Sequence, residues 1–223
     1  MGLEIFFLLV FVTAIDMMRI FFLMLFVCAL TMTRAQSVNL HSKVGAGAVY
    51  FSFPTLDPAN AGTGVTLSSG NDAYASVGNY SVRSTTAHTI ASGGPVVMAE
   101  VKVGVGGNNL PACLISSTAT NFNQAPWYIG WVYYYFGQLY LNNSLVQSGL
   151  SGYSTGDYVE IVLDCNAGTL KFYLNGTQVG TTITGMTGTW YIGSGSTGSG
   201  SSTGTWNFGA TAFVHPISGA VHW

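Results

Sequence analysis

Apolar and polar residues alternate along most of the chain after residue 52, and short polar turn motifs separate the alternating stretches. Alternation with a period of two predicts β-strands, because successive side chains of a strand point to opposite faces of a sheet. No helical periodicity is sustained beyond residue 36. We predict strands at 63–68, 80–85, 96–104, 111–117, 128–135, 138–141, 158–164, 169–174, 178–183, 189–194 and 204–208.

The best-specified local unit is a meander of three strands in "YVEIVLDCNAGTLKFYLNGTQVG". Asn175 and Gly176 tolerate the positive φ angles of a type I′ turn, so a third strand is expected to fold back after them. Asp164 is expected to cap the preceding turn through Asn166 and Gly168. Alternation assigns one buried face of the meander to Val159, Ile161, Leu163, Leu170, Phe172 and Leu174.

The regular spacing of strands and turns predicts the fold class. It is typical of an all-β protein in which two antiparallel sheets pack as a sandwich, here over residues 52–223. The stretch "GSGSTGSGSSTGT" at 193–205 has the composition of a linker, but strand-like sequences flank it on both sides. We therefore interpret it as a long loop or a glycine-rich strand inside the domain, and not as a domain boundary.

Residues 1–35 differ from the rest of the chain, and residues 36–51 are expected to link them to the sandwich domain. Two apolar runs are split by Asp16 and Arg19, and the second run is followed by Thr33 and Ala35 at the −3 and −1 positions of a possible cleavage site before Gln36. A basic start, an apolar core and small residues before a cleavage site are typical of a secretory signal peptide. The alternative is an uncleaved membrane anchor, which would place two charged side chains inside the bilayer at a cost. Secretion or display at a surface is the expectation, with membrane attachment only if the segment is retained.

The low charge of the chain narrows its partners. The formal net charge is −2 and 6% of the residues are charged. Nucleic-acid binding needs a basic patch that neutralises phosphates, and the basic side chains here are scattered. We therefore expect no nucleic-acid partner. The basic residues after position 35 are Lys43, Arg83, Lys102 and Lys171.

Two cysteines, Cys113 and Cys165, lie beyond the leader. An oxidising compartment would permit them to form a disulfide. The alternative is that both are small buried apolar residues in strands, as free cysteines often are. The sequence leaves both alternatives open.

The meander resembles the signature of the SPRY (B30.2-like) family, which reads roughly "GDvigvaLDldaGTLtFykNG" where this chain has "GDYVEIVLDCNAGTLKFYLNG" at 156–176. Three further stretches resemble family motifs, in the family's order. They are "GVTLSSGNDAYASVGNYSVRSTT" at 64–86, "MAEVKV" at 98–103 and "TWNFGATAFVHPISG" at 205–219. Beyond the meander, the resemblance matches Arg83, Asn207, Phe208 and Gly209 to motif positions.

The resemblance implies a concanavalin-like sandwich, a jelly roll of two packed sheets whose edge loops hold ligands. Family members are mostly non-catalytic modules that bind peptide segments of other proteins, and similar single domains occur in virion and tail-fibre proteins. A non-enzymatic module with a protein or peptide partner, exported or displayed on a virion or cell surface, is the function implied. A lectin-like sandwich that binds surface glycans for adhesion is the alternative, and a polysaccharide-cleaving enzyme is disfavoured.

The stretch "WYIGWVYYYFGQLY" at 127–140 is the densest group of aromatic residues. Only one face of a strand can meet the core between the sheets, yet both faces here carry rings. The surplus rings either cap the outer face of the sandwich or contact a ligand, since Tyr and Trp are favoured at interfaces. The candidate contact residues are Trp127, Tyr128, Trp131, Tyr134 and Phe136.

Other chemistry finds little support in the sequence. Glu160 and Asp164 share a strand face, but the E-x-D-x-x-E run of sandwich-fold glycosidases is missing, so we expect no catalytic residues. Arg83 is expected to pair with a carboxylate or with loop carbonyls. No cofactor motif is present. We also expect no metal site, because no His-x-His or His-x-x-x-His spacing occurs among His41, His88, His215 and His222.

The leader yields a first prediction. We expect the exported protein to begin at or near Gln36, because Thr33-Arg34-Ala35 follows an apolar core of signal-peptide length. N-terminal sequencing of the exported protein measures this directly. A full-length chain that partitions with membranes would contradict the prediction and support the anchor.

Overall fold

The computed structural model describes residues 52–104 and 109–223. Both predicted N-terminal segments, the leader 1–35 and the linker 36–51, lie outside the described residues. The strands are β1 (Leu56–Ala61), β2 (Val65–Ser68), β3 (Ala73–Val77), β4 (Tyr80–Thr89), β5 (Val96–Val103), β6 (Asn109–Ser116), β7 (Gly130–Tyr134), β8 (Gln138–Leu141), β9 (Ser144–Gln147), β10 (Tyr158–Asp164), β11 (Thr169–Leu174), β12 (Thr177–Ile183), β13 (Thr189–Ser196), β14 (Ser201–Asn207) and β15 (Val221–His222). Single 3-10 turns occur at Ser69–Asn71 and Pro126–Tyr128. Among the described residues, no helix is long and apolar enough to cross a membrane.

The described strands form two sheets. The seven-stranded sheet has the order β1-β4-β13-β6-β7-β8-β9. The eight-stranded sheet has the order β12-β11-β10-β5-β14-β3-β2, and β15 pairs in parallel with β5. The other paired strands are antiparallel. The predicted all-β class with two antiparallel sheets is thus confirmed.

Most of the apolar side chains are buried between the two sheets, in a layer that we call the inter-sheet core. The meander contributes to it as the alternation predicts. Ile161 pairs with Phe172 across β10 and β11, and Phe172 pairs with Val179 on β12. Asn175 and Gly176 connect the last two strands with φ angles of 51° and 76°, which are the positive values that a type I′ turn needs.

The glycine- and serine-rich stretch is a pair of strands. β13 lies in the middle of the seven-stranded sheet, between β4 and β6, and β14 lies in the other sheet between β5 and β3. A Cβ atom at Gly195 would overlap the carbonyl oxygen of Tyr80 and lie 2.6 Å from Pro126 Cγ. The small residues are therefore required where β13 passes beneath the loop that carries Pro126.

Four strands lie outside the ranges predicted from alternation. β1 has the sequence LDPANA and buries only its first residue fully, β3 carries several small residues, β9 is an exposed edge strand, and β15 has only two residues. Apart from Leu56 of β1 and Tyr74 of β3, these strands bury no large side chain, so their hydrophobic pattern is weak. The strand predicted at 128–135 begins later, at Gly130, because Pro126–Tyr128 forms a 3-10 turn.

The seven-stranded sheet is also apolar on its outer face. Residues 117–129, which we call the covering segment, place Phe122 and Ala125 against side chains of β6 and β7. This smaller apolar layer, which we call the outer layer, consists of Leu110, Cys113, Ile115, Phe122, Ala125, Val132 and Tyr134.

Cys113 and Cys165 are both free and buried. Cys113 belongs to the outer layer and Cys165 to the inter-sheet core, so the sheet itself separates the two sulfurs. Burial raises the pKa of both thiols. Of the two alternatives left open by the sequence, the structure has the buried free thiols.

The core position of Phe172 yields a stability prediction. Phe172 is 1% exposed and its ring lies 5.9 Å from that of Tyr133 on the opposite sheet. We expect Phe172→Ala to lower the free energy of unfolding by about 3–5 kcal/mol, because the substitution leaves a cavity between the sheets. Chemical denaturation measures the loss.

Lys171→Ala is the control, because Lys171 precedes Phe172 on the same strand and is only half-buried. The control should change the free energy of unfolding by no more than about 0.5 kcal/mol. Equal losses for the two variants would contradict the register of β11.

Candidate functional site

Strand β7 divides the aromatic run between the two faces of its sheet. Trp131 and Tyr133 point into the inter-sheet core, whereas Val132 and Tyr134 belong to the outer layer. Trp131 is 7% exposed and lies in the inter-sheet core, so its proposed role as a contact residue is wrong.

The rings on the outer face surround Trp127. Its ring centroid lies 5.6 Å from those of Tyr134 and Tyr140 and 6.3 Å from that of Tyr128. Tyr134 in turn lies 5.3 Å from Phe136, in an edge-to-face arrangement. Edge-to-face packing is a favourable geometry for aromatic pairs, so the rings form one supported cluster.

Several members of this group remain exposed to solvent. Phe136 is 62% exposed and Tyr128 is 49% exposed. Leu145 on β9 is 52% exposed and pairs with Tyr140, which pairs with Val132 of the outer layer. Residues paired directly across strands share a face, so Leu145 extends the same apolar surface to the sheet edge. We call this surface the aromatic patch; it consists of Trp127, Tyr128, Phe136, Tyr140 and Leu145.

Tyr134 supports the patch from below. Its side chain is 8% exposed and packs in the outer layer, and burial raises the pKa of its hydroxyl to about 12. A partner resting on the surface would meet Phe136 and Tyr128 before it met Tyr134. The proposed contact role of Tyr134 is therefore corrected to a supporting one.

Arg83 holds the covering segment through its guanidinium plane. The group lies 4.1 Å from the ring centroid of Tyr191 and 5.3 Å from that of Phe122 in the covering segment. The backbone amide of Ser81 also donates to the carbonyl of Phe122 (3.0 Å). Among the described residues Arg83 forms no ion pair with a carboxylate, and its buried Nε has no hydrogen-bond partner, so the expected pairing with a carboxylate or loop carbonyls is corrected to cation–π contacts with two rings.

The predicted turn residues of the meander have backbone roles. Asp164 Oδ1 accepts hydrogen bonds from the amides of Asn166 (3.0 Å) and Ala167 (2.8 Å), and Gly168 has a φ of 61°. Asp164 thus caps the turn through Asn166 and Ala167, whereas the sequence predicted Asn166 and Gly168. The side chain of Asn175 accepts from the amide of Tyr158 (2.8 Å), which ties the second turn to the start of β10.

The Asn207-Phe208-Gly209 motif fixes the start of the C-terminal segment, residues 208–223. Asn207 Oδ1 accepts from the amide of Gly209 (3.0 Å), and Phe208 is 1% exposed in the inter-sheet core. Gly209 has a φ of 111°, and a Cβ atom there would overlap His222. The motif therefore positions the chain, and the ring of Phe208 stacks on that of Trp206 with 5.6 Å between their centroids.

A second cluster, which the sequence pattern did not indicate, lies on the outer face of the eight-stranded sheet. It joins Glu100 of β5, Glu160 of β10 and His215 of the C-terminal segment, whose potential metal-ligating atoms all lie within 4.8 Å of one another. We expected no metal site because the histidines lack ligand spacing along the chain. That criterion does not detect this cluster, because the fold brings together residues that are distant in the sequence. Burial raises the pKa of Glu160 to about 7, and the nearby charge of Glu100 adds to the rise.

Residues 98–200 match the family model of the SPRY domain. This part of the chain is similar to the SPRY domain. The matched range includes the aromatic patch, the covering segment and the meander, and it ends before the C-terminal segment. Proteins with this domain are generally protein-interaction modules, which supports a binding role without catalysis.

Several solved structures share the fold, and SPRY domains are among them. The SPRY domain of human HERC1 is 16% identical with a TM-score of 0.56, covering 70% of this chain and 99% of that one. The TRIM65 PSpry domain is 13% identical with a TM-score of 0.52, covering 69% and 92%. Stonustoxin is 18% identical with a TM-score of 0.50, covering 71% of this chain but 27% of its own. No curated protein sequence matches this chain.

The stacking of Arg83 yields a prediction about the covering segment. We expect Arg83→Ala to lower the free energy of unfolding by about 1–2 kcal/mol, because a desolvated cation–π contact is lost. Hydrogen exchange of amides in residues 117–129 should become faster, and mass spectrometry of peptides from that range measures the change.

Arg83→Lys serves as the companion variant, because it keeps the positive charge and loses the planar stacking group. It should restore less than half of the lost protection. Unchanged exchange in the covering segment of Arg83→Ala would show that the two ring contacts do not hold it.

Proposed function

We propose that this SPRY-like domain binds a protein partner through the aromatic patch and does so without catalysis. The observation that carries the proposal is the exposure of Phe136, Tyr128 and Leu145 around rings that are themselves packed in place. An isolated exposed apolar residue is ordinary, but a contiguous group of them marks an interaction surface. The rigid support beneath the patch lowers the entropy lost on binding.

The composition of the patch favours a protein over other partners. Strands β7, β8 and β9 read GWVYY, QLYL and SLVQ and contain no charged residue. Protein interfaces are enriched in Tyr, Trp and Phe at their centres and depleted of Lys, Glu and Asp. Leu145 adds aliphatic surface, which packs well against apolar side chains of a peptide.

The sheet edge next to the patch offers a second element of recognition. β9 is the last strand in its sheet order, and three of its four residues are exposed. An edge strand presents unpaired backbone groups to which an extended peptide can add as a further strand. Backbone pairing at β9 and apolar contact at the patch would together give the affinity and the register of one extended peptide.

We place this binding outside the cell or on a virion or cell surface, on the strength of the signal-like residues 1–35. A cleaved signal peptide would release the domain, whereas an uncleaved anchor would hold it at the membrane. In both cases the domain would be presented to external partners. Binding a surface glycan remains the alternative that the aromatic composition permits, and the experiment below distinguishes it.

The test uses peptides selected from a displayed random library against the purified protein. We expect Phe136→Ala or Tyr128→Ala to weaken binding of the selected peptides by roughly thirtyfold, since aromatic anchors contribute about 2 kcal/mol or more at interfaces. The melting temperature of both variants should stay near that of the parent, because these side chains are largely exposed. Isothermal titration calorimetry and thermal unfolding measure the two quantities.

Val77→Ala is the matched control, because Val77 is 60% exposed on the other sheet. Trp131→Ala is the opposite control and should lower stability first, because Trp131 lies in the inter-sheet core. Unchanged peptide binding in both patch variants would contradict the proposed surface. The outcome that favours a glycan has three parts: the parent binds to a glycan array, the patch variants do not, and the library yields no binding peptide. That outcome would show that the partner is a glycan and not a protein.

A further inference from the structure

The cluster of Glu100, Glu160 and His215 lies away from the aromatic patch, on the other sheet. Glu100 and Glu160 face each other directly across β5 and β10. The C-terminal segment passes over them and contributes His215. Both carboxylates are removed from solvent, with Glu100 1% exposed and Glu160 0% exposed.

A cation beside these two carboxylates would stabilise their ionised forms. Carboxylates directly opposite each other on antiparallel strands repel, and burial makes an unpaired charge more costly. Within the part of the chain that the structure describes, no lysine or arginine forms an ion pair with either residue. The basic group beside them is the imidazole of His215, whose Nδ1 lies 3.0 Å from Glu160 Oε1.

The contact between His215 and Glu160 lacks the geometry of a hydrogen bond. Glu160 Oε1 and His215 Nδ1 are both buried, and neither atom has a hydrogen-bond partner. Glu160 Oε2 accepts the amide of Gly176 (3.2 Å), so the carboxylate is held with Oε1 towards the histidine. Two close heteroatoms without a hydrogen bond between them form an ion pair when the imidazole is protonated, and both can ligate one ion when the imidazole is neutral.

The third group is held in place by neighbouring donors. The Glu100 carboxylate accepts from the amides of Val214 (2.9 and 3.0 Å) and His215 (3.3 Å) and from Asn207 Nδ2 (3.1 Å). Hydrogen bonds to a ligating carboxylate orient it and are a regular feature of metal sites. These donors also bring the backbone that carries His215 to the sheet, so the three side chains converge without further folding.

We propose that Glu100, Glu160 and His215 bind one divalent transition-metal ion, with Zn²⁺ as the preferred occupant. Zn²⁺ takes imidazole nitrogen and carboxylate oxygen together, whereas Mg²⁺ and Ca²⁺ take oxygen ligands. Four-coordinate bonds of about 2.0–2.2 Å separate ligand atoms by about 3.4 Å, which small side-chain rotations reach from the present spacing. Water supplies the fourth ligand, and the His215 side chain, 28% exposed, provides the path of entry.

The site would tie the C-terminal segment to the eight-stranded sheet. His215 is the ligand from that segment, and the two glutamates come from adjacent central strands. An ion that binds only the folded state stabilises it in proportion to the logarithm of its concentration. The melting temperature should therefore depend on zinc, and the dependence should require all three side chains.

The experiment uses the full-length protein, stripped with a chelator and then titrated with ZnCl₂. We expect one Zn²⁺ per chain by elemental analysis and a rise in melting temperature on titration. Glu160→Gln and His215→Ala should each weaken zinc binding by at least about 100-fold, because loss of even an outer partner of a metal ligand costs about 10–100-fold. His222→Ala is the control, since it removes an imidazole of the same segment from outside the cluster and should bind zinc like the parent.

Cobalt provides a readout that does not depend on stability. Co²⁺ substituted into a four-coordinate site gives visible absorption bands, and these should appear in the parent and in His222→Ala and be missing in Glu160→Gln. A parent that takes up no Zn²⁺ or Co²⁺ would overturn the proposal. Equal uptake by the parent, Glu160→Gln and His215→Ala would also overturn it, because the ion would then bind elsewhere.

Discussion

The seven-stranded sheet is apolar on both faces, and the position of the aromatic patch depends on this constraint. When a strand carries large aromatic rings on both faces, full exposure of either face to solvent is unfavourable, because the exposed apolar area would be large. Trp131 and Tyr133 are buried against the other sheet, and Val132 and Tyr134 are buried beneath the covering segment. Arg83, stacked between rings of β13 and of the covering segment, helps to hold that cover in place.

The patch is the part of this apolar outer face that remains exposed. Phe136 follows the end of β7 and Leu145 lies on the edge strand β9, and both retain more than half of their exposure. The rings between them are fixed by edge-to-face contacts, so a partner would meet a preorganised surface. The SPRY fold supplies the scaffold, but the aromatic residues of this chain define the contact, since a fold alone does not determine a ligand.

The eight-stranded sheet differs from the seven-stranded sheet in having polar residues on its outer face. Its outer face carries a polar row across four adjacent strands, in which Tyr173, Glu160, Glu100 and Asn207 are successive cross-strand partners. The C-terminal segment covers this row and satisfies Glu100 with backbone amides. One sheet is thus covered through apolar packing and the other through hydrogen bonds and charge, which is why the two candidate sites differ in chemistry.

Local sequence determined the features that depend on neighbouring residues. The alternation in β10 and β11 placed Phe172 in the core, and Asn175-Gly176 specified the turn, because side-chain direction and φ preference are properties of short segments. Weakly patterned strands such as β1 and β15 were missed, since their pairing depends on backbone partners far along the chain. The sequence predicted the first part of β13 at 189–194, but the choice between a loop and a strand for 193–205 depended on the tertiary packing, in which the loop with Pro126 lies close to Gly195.

The tertiary structure alone decided which chemically active groups meet and which rings stay exposed. Trp131 and Phe136 look alike in the sequence, yet one is buried between the sheets and the other protrudes, because burial depends on what a distant segment covers. Glu160 and His215 show no ligand spacing along the chain, and strand register together with the path of the C-terminal segment brings them into contact. Hydrophobic periodicity is a local signal, whereas cross-strand register and coverage arise from long-range contacts that no short pattern encodes.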